Sequence, residues 1–309
     1  YNIFERDIPI NIMCDRANIA LQTIRKKYKK NCVVFKDEMR QKILYNQKIT
    51  SEAVDAIKNE EFIVYFQPIY SFSEEKFIGA EALTRWIHPI KGIIQPGKFI
   101  PVLEKNGAIC ELDKYVWEKV CNQINEWKSK GIEILPISLN ASPLHLSDPN
   151  FVDDFLSMLK TKKINTELIR LELTESAYIL NSDHIQDVIH KLQSNGIKIL
   201  MDDFGSEYSS FNMLKDLNID IIKLDMRFMR DFETVPRGKT ILAGIVRMAK
   251  WLNLPIVAEG VETKEQSDFL RSVGCSYIQG FYYSKPLAPV DFEILLRNKE
   301  QIVMPSQEL

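Results

Sequence analysis

From residue 62 the chain alternates between two patterns. Short apolar runs bounded by turn residues give way to longer stretches whose apolar residues recur every three or four positions. The first pattern predicts buried strands and the second amphipathic helices. Phe62–Tyr70 and Phe77–Trp86, separated by the polar turn from Ser71 to Lys76, predict a hairpin. Further strands are predicted at Leu135–Asn140, Leu168–Thr174, Ile197–Asp203, Ile219–Leu224, Pro255–Glu259 and Tyr277–Gly280. Helices are predicted near Gly97–Lys105 and Leu112–Lys130, after Asp148, over Ser182–Ser194, Lys239–Leu252 and Lys264–Val273, and after Pro289. A short helical segment is expected between Gly205 and Ile219.

Eight strands with helices between the later ones predict an α/β fold, a (β/α)8 TIM barrel. The opening hairpin makes one strand antiparallel, so the barrel is a modified one. An open doubly wound sheet is the alternative, but no glycine-rich phosphate loop follows a strand.

Residues 1–45 read as a separate, short N-terminal α/β remnant, with the barrel over 46–309. Ile10–Met13 is expected to end a strand, Asp15 to cap a helix reaching about Lys30, and Cys32–Phe35 to form a short strand. The helix closes on Arg25, Lys26, Lys27, Lys29 and Lys30. Cations suit a helix C-terminus, so a solvated end is a simpler reading than a phosphate patch. Residues 38–60 predict a connecting helix.

Composition narrows the class. The 309 residues are 45% hydrophobic and 27% charged, ordinary for a globular chain. A net charge of −2 argues against a general surface for polymeric nucleic acid. No apolar run reaches the roughly 18 residues of a membrane span. Five cysteines at scattered spacings fit reduced thiols and a cytoplasmic setting. The four histidines are equally scattered and read as structural or surface residues. The chain opens at Tyr1 inside an expected strand, which suggests a piece of a longer protein with sensor or membrane segments upstream.

The chemistry concentrates where strands end. The run Ile199-Leu200-Met201 ends in Asp202 and Asp203, and the next strand carries Lys223. One Asp could cap a helix. Two adjacent carboxylates repel and call for a cation. The other strands offer Gln67, Glu81, Asn140, Glu172, Glu259 and Gln279. Pleating places Leu83 and Arg85 on the side of Glu81, and Arg170 and Thr174 on that of Glu172. Polar groups inside a barrel are costly unless paired or liganded. Any one of them reads as a strand-end residue bonded to a loop; all together they read as a site. Carboxylates plus an amide, without Cys or His, suit Mg²⁺ or Mn²⁺. Five carboxylates exceed the needs of one ion and suit two, about 3.5–4 Å apart and sharing a carboxylate, as in phosphodiester hydrolysis.

These residues also carry a resemblance. Gln67-Pro68-Ile69, Glu81-Ala82-Leu83-Thr84-Arg85-Trp86, Leu139-Asn140-Ala141-Ser142, Glu172-Leu173-Thr174-Glu175-Ser176, Asp202-Asp203-Phe204-Gly205, Lys223-Leu224-Asp225, Ala258-Glu259-Gly260-Val261-Glu262 and Gln279-Gly280-Phe281 follow one another as they do in EAL-domain cyclic-di-GMP phosphodiesterases. The likeness covers residues 50–295. Residues 1–45 resemble the tail of a GGDEF domain, without the Gly-Gly-Asp-Glu-Phe motif. The resemblance implies hydrolysis of cyclic di-GMP to 5′-pGpG by a homodimer. It implies one metal on Glu81, Asn140, Glu172 and Asp202, and a second on Asp202, Asp203 and Glu259. Lys223 would orient or deprotonate the attacking water. Gln67, Leu83 and Arg85 would touch substrate. Gln279 and Glu262 would support the metal-water shell, and Glu175 would anchor the loop after the fifth strand.

One position departs from the family pattern. Glu207 stands where the loop before Tyr208 has glycine, and a positive φ there would be strained. Two other functions remain open at this point. A non-hydrolytic cyclic-di-GMP receptor would typically lack metal ligands that this chain keeps. A glycoside hydrolase using Glu172 and Glu259 would leave Asp202, Asp203, Asn140 and Lys223 without a role.

Overall fold

A hairpin opens the barrel. β1 (Phe62–Ser71) and β2 (Lys76–His88) pair antiparallel, with Gln67 opposite Glu81 and Tyr65 opposite Leu83. The computed structural model describes residues 8–24, 32–179, 182–205, 218–235 and 237–298. A short β3 (Gly92–Ile94) folds back on the end of β2. The remaining strands are β4 (Ile137–Asn140), β5 (Ile169–Thr174), β6 (Lys198–Phe204), β7 (Ile221–Leu224), β8 (Ile256–Glu259) and β9 (Tyr277–Gln279). Their order is β1-β9-β8-β7-β6-β5-β4-β2-β3, and the β1–β2 pairing closes the ring. β1 is antiparallel to both its neighbours, while β2 and β4 to β9 run parallel. The modified barrel expected from the sequence is the fold observed.

The helices are α1 (Ile10–Ile24), α2 (Asp37–Lys58), α3 (Pro96–Asn106), α4 (Ile109–Ser129), α5 (Phe151–Thr161), α6 (Ser182–Ser194), α7 (Arg227–Thr234), α8 (Gly238–Trp251), α9 (Lys264–Val273) and α10 (Pro289–Arg297). Thr263 and Gln266 start α9 with a reciprocal capping box. None of the described helices is long and apolar enough to cross a membrane.

The N-terminal segment differs locally from expectation. Ile10–Met13 forms the first turn of α1, and Cys32–Phe35 is irregular. A strand needs a neighbour to take its backbone hydrogen bonds. Among the described residues no strand pairs with either segment. The basic run from Arg25 to Lys30, the segment after Gly205 and Glu207 lie outside the described residues.

Two cores result from strand alternation. One lies between barrel and helices, where Phe66 packs against Trp127 and Phe292 at ring-centroid distances of 5.0 and 5.2 Å. The other is a floor inside the barrel, made by Ile69, Leu200, Ile221 and Val257. Burying each of these side chains contributes about 1.5–3 kcal/mol. Two residues along each strand, on the same side, stand Gln67, Asp202, Lys223 and Glu259. β5 interrupts the apolar floor with buried Arg170. Gly79 leaves room for it: a Cβ there would lie 3.1 Å from Arg170 Nη1 and 2.9 Å from the Pro136 carbonyl oxygen.

Candidate active site

Above that floor one ammonium is surrounded by carboxylates. Lys223 is wholly buried, and its Nζ lies 3.1 Å from Glu81 Oε2, 2.5 Å from Glu172 Oε2, 3.2 Å from Asp202 Oδ1 and 2.6 Å from Glu259 Oε1. Three N–H donors cannot serve four carboxylates. Asp202 Oδ1 is at ion-pair distance but makes no hydrogen bond, and Glu172 Oε1 is buried without a partner. Four ionised carboxylates around one ammonium would leave three negative charges uncompensated.

The electrostatics follow. Burial opposes the charge on Lys223, but Asp202, Glu172, Glu259 and Glu81 together hold its pKa well above the ordinary lysine range. In this arrangement it is protonated and donates hydrogen bonds. Burial, then Glu81, pushes Glu172 well above the usual carboxylate range. Burial, with Asp202 and Glu81 adding to it against Lys223, raises Glu259 to about 8. Burial also opposes ionisation of Glu81, but Lys223, Gln279 and Asn140 outweigh it and lower its pKa.

Neutral donors complete the ring. Asn140 Nδ2 donates to Glu81 Oε1 at 3.0 Å, and Gln279 Nε2 donates to Glu81 Oε2 at 2.7 Å and Gln67 Oε1 at 3.1 Å. Strand register brings them there: Asn140 pairs with Glu172, Gln67 with Glu81, and Glu259 with Gln279.

The adjacent aspartates part company at a bulge in β6. Pairing with β7 shifts between Met201 and Phe204, and Asp203 has φ +56°, in the left-handed region. Asp tolerates that region better than most residues. Asp202 turns to Lys223, while Asp203 lines a cavity of about 370 Å³ with Glu104, Ser142, Pro143, Leu144, Thr174, Glu175 and Ser176. Burial, then Asp202 and Asp225, raises Asp203 to about 6. Buried Glu175 accepts a hydrogen bond from the Gly205 N–H at 3.1 Å.

Leu83 and Arg85 are half-buried on the side of Glu81. Arg85 Nη1 donates to the Thr84 carbonyl oxygen, and its guanidinium lies 5.9 Å from the Tyr65 ring centroid. Glu262 is not brought to the ring. It is exposed in the loop after β8, where its backbone N–H donates to Gln266 Oε1. Sequence reasoning passed over Asp113, Trp117 and His145, which pack behind Asn140. The available signal was Asp113 itself, a carboxylate beside apolar Leu112 on the inner face of α4.

The donor set suits a hard cation: carboxylate and amide oxygens, two of them buried and unsatisfied. Among the described residues no three His, Cys, Asp or Glu side chains form a ready-made cation cage. The carboxylates are instead spread around Lys223.

Comparison with known proteins gives the family of the chain that carries this ring. The EAL domain model matches residues 50–286. The chain belongs to the EAL domain family. This EAL chain is 35% identical over 260 residues to the probable cyclic di-GMP phosphodiesterase PdeG of Escherichia coli (strain K12), covering 84% of this chain and 51% of that protein. It is 34% identical over 262 residues to signaling protein YkoW of Bacillus subtilis (strain 168), covering 84% of this chain and 32% of that one. A solved structure of the PaMucR phosphodiesterase in complex with c-di-GMP superposes with a TM-score of 0.75 at 32% identity, covering 79% of this chain and 99% of that one. The EAL chain thus spans between a third and a half of the length of such curated relatives.

Proposed function

We propose that this EAL chain hydrolyses cyclic di-GMP to linear 5′-pGpG with two divalent cations, Mg²⁺ or Mn²⁺. The observation that carries the reading is the ring of Glu81, Glu172, Asp202 and Glu259 around Lys223, with its excess negative charge and unsatisfied buried oxygens. The substrate is supported by likeness to PdeG and to the PaMucR complex. Glu81, Asn140, Glu172 and Asp202 would hold one cation, and Asp202, Asp203 and Glu259 the other. When bound, such cations lower the pKa of water and balance charge on phosphoryl oxygens.

The chain's own residues would do the positioning. Lys223 would orient or deprotonate the attacking water: without cations its carboxylates keep it protonated, and cation charge beside it would favour the neutral amine a general base needs. The water gives up a proton to Lys223 or to solvent as its oxygen bonds to phosphorus, the bond from phosphorus to O3′ breaks, and O3′ leaves and takes up a proton from solvent. Arg85 would hold a phosphate, for which a guanidinium is well shaped. Gln67 and Leu83 would touch substrate. Gln279 would steady Glu81 and Gln67, Glu175 would anchor the loop beginning at Gly205, and exposed Glu262 would act through water. A homodimer and an upstream sensor, with residues 1–45 as a GGDEF-like tail, belong to the same proposal.

The test is chromatography of cyclic di-GMP incubated with the purified chain and Mg²⁺ or Mn²⁺, with and without EDTA. The expected result is pGpG in the metal-containing samples alone. Intact cyclic di-GMP that nonetheless binds would make the chain a receptor. Neither binding nor cleavage would overturn the reading.

A further inference from the structure

Asn140 ends β4, and its place is set from outside the barrel. α4 packs there and presents Asp113 and Trp117, four residues apart, on one face. The Trp117 indole N–H donates to the Asn140 carbonyl oxygen at 3.0 Å. Asp113 Oδ2 accepts from the Ser142 backbone N–H at 3.0 Å and lies 3.1 Å from His145 Nε2. The His145 backbone N–H closes the turn by donating to the Ser142 carbonyl oxygen at 3.0 Å. The His145 ring packs on Trp117, with centroids 4.7 Å apart. On the other side of this grip, the Asn140 amide reaches into the barrel to Glu81 Oε1.

A buried carboxylate is costly, and helix packing alone needs only an apolar residue at that position. Asp113 and His145 are both buried, and both polar contacts of Asp113 Oδ2 go to the turn just past Asn140. We infer that Asp113, Trp117 and His145 are positioning residues for Asn140. They clamp the end of β4 so that the Asn140 amide stays in the cation-holding ring. The inference rests on the two-cation reading proposed above. Its signature is a change in cation affinity beyond any change in folding. Outer partners of metal ligands typically contribute ten- to a hundredfold in affinity.

The test is Mn²⁺ binding to the purified chain, followed by calorimetry and by the electron paramagnetic resonance signal of free Mn²⁺. Thermal melting and cyclic di-GMP turnover are measured in parallel. Trp117→Phe keeps the ring and removes the N–H. Asp113→Ala removes the acceptor, and Asp113→Asn keeps an oxygen able to accept both contacts. Trp127→Phe is the control, because Trp127 lies wholly buried on the same helix and its indole N–H has no partner. Trp117→Phe and Asp113→Ala should weaken Mn²⁺ binding about tenfold or more, with Asp113→Asn recovering most of it. Trp127→Phe should bind as the unsubstituted chain does. Unchanged affinity in Trp117→Phe, or an equal loss in Trp127→Phe, overturns the clamp. These two variants decide the matter even if Asp113→Ala does not fold. An unsubstituted chain that binds no Mn²⁺ overturns the two-cation reading and the clamp with it. Tight binding there, with unchanged affinity in Trp117→Phe, overturns the clamp alone.

Discussion

Lys223 Nζ on β7 lies 2.6 Å from Glu259 Oε1 on β8, and strand register explains the contact. Lys223 pairs with Val257, so Glu259 stands two residues nearer the mouth on the adjacent strand. Glu81, Glu172 and Asp202 reach the same ammonium from β2, β5 and β6. One side chain therefore joins five strands.

Lys223→Met tests that junction. Removing the cation leaves a set of buried carboxylates without a counter-charge, and breaking a buried pair typically costs about 3–5 kcal/mol. The metal-free variant should melt well below the unsubstituted chain, and Mn²⁺ should raise its Tm more. Hydrolysis should be lost. An unchanged melting curve would show that Lys223 does not hold the ring.

Glu81→Ala removes a carboxylate that contacts Lys223, Asn140 and Gln279. Turnover of cyclic di-GMP should fall at least about a hundredfold, the upper range for changes only one shell further out. Circular dichroism should show the fold retained. Full turnover in this variant would remove Glu81 from the metal assignment.

The ring also fixes a pH dependence. Asp203 is raised from 3.8 to about 6 and Glu259 from 4.5 to about 8, in both cases chiefly by burial. Between these values the folded chain holds more protons than the unfolded chain. Stability therefore falls as pH rises through that window. In EDTA the Tm should be higher at pH 6 than at pH 8. Saturating Mn²⁺ should remove most of the difference, because cation binding favours ionised carboxylates. A Tm in EDTA that rises from pH 6 to pH 8 would contradict this.

Gly280 tests the rim next to Gln279. A Cβ there would stand 2.1 Å from the Val261 carbonyl oxygen and 2.4 Å from its nitrogen, both backbone atoms that cannot swing away. Gly280→Ala should cost about 3 kcal/mol or more in urea unfolding. A variant as stable as the unsubstituted chain would show that the loop after β8 shifts freely.

Much of this was legible in the sequence because it depends on local periodicity. The helices Ser182–Ser194 and Lys264–Val273 have the limits their apolar spacing predicts. The polar strand ends stood out because Lys223 and Asp202 sit in runs too apolar to tolerate them without partners. β3 was not legible, since three residues carry no period. Ile10–Met13 and Cys32–Phe35 misled because apolar runs become strands only beside a neighbour. The grip of Trp117 on Asn140 and of Asp113 on Ser142 joins residues 23 and 29 positions apart, which no local pattern records. Lys223 as the meeting point of four carboxylates depends on barrel closure, and so does the room that Gly79 leaves for Arg170.

The most direct measurement counts Mn²⁺ bound per purified chain and follows cyclic di-GMP cleavage in the same titrated samples. Two Mn²⁺ per chain, with pGpG appearing as the second site fills, is the expected result. Cleavage by chain stripped with EDTA, or full cleavage with a single Mn²⁺ bound, would contradict two-cation hydrolysis at this ring.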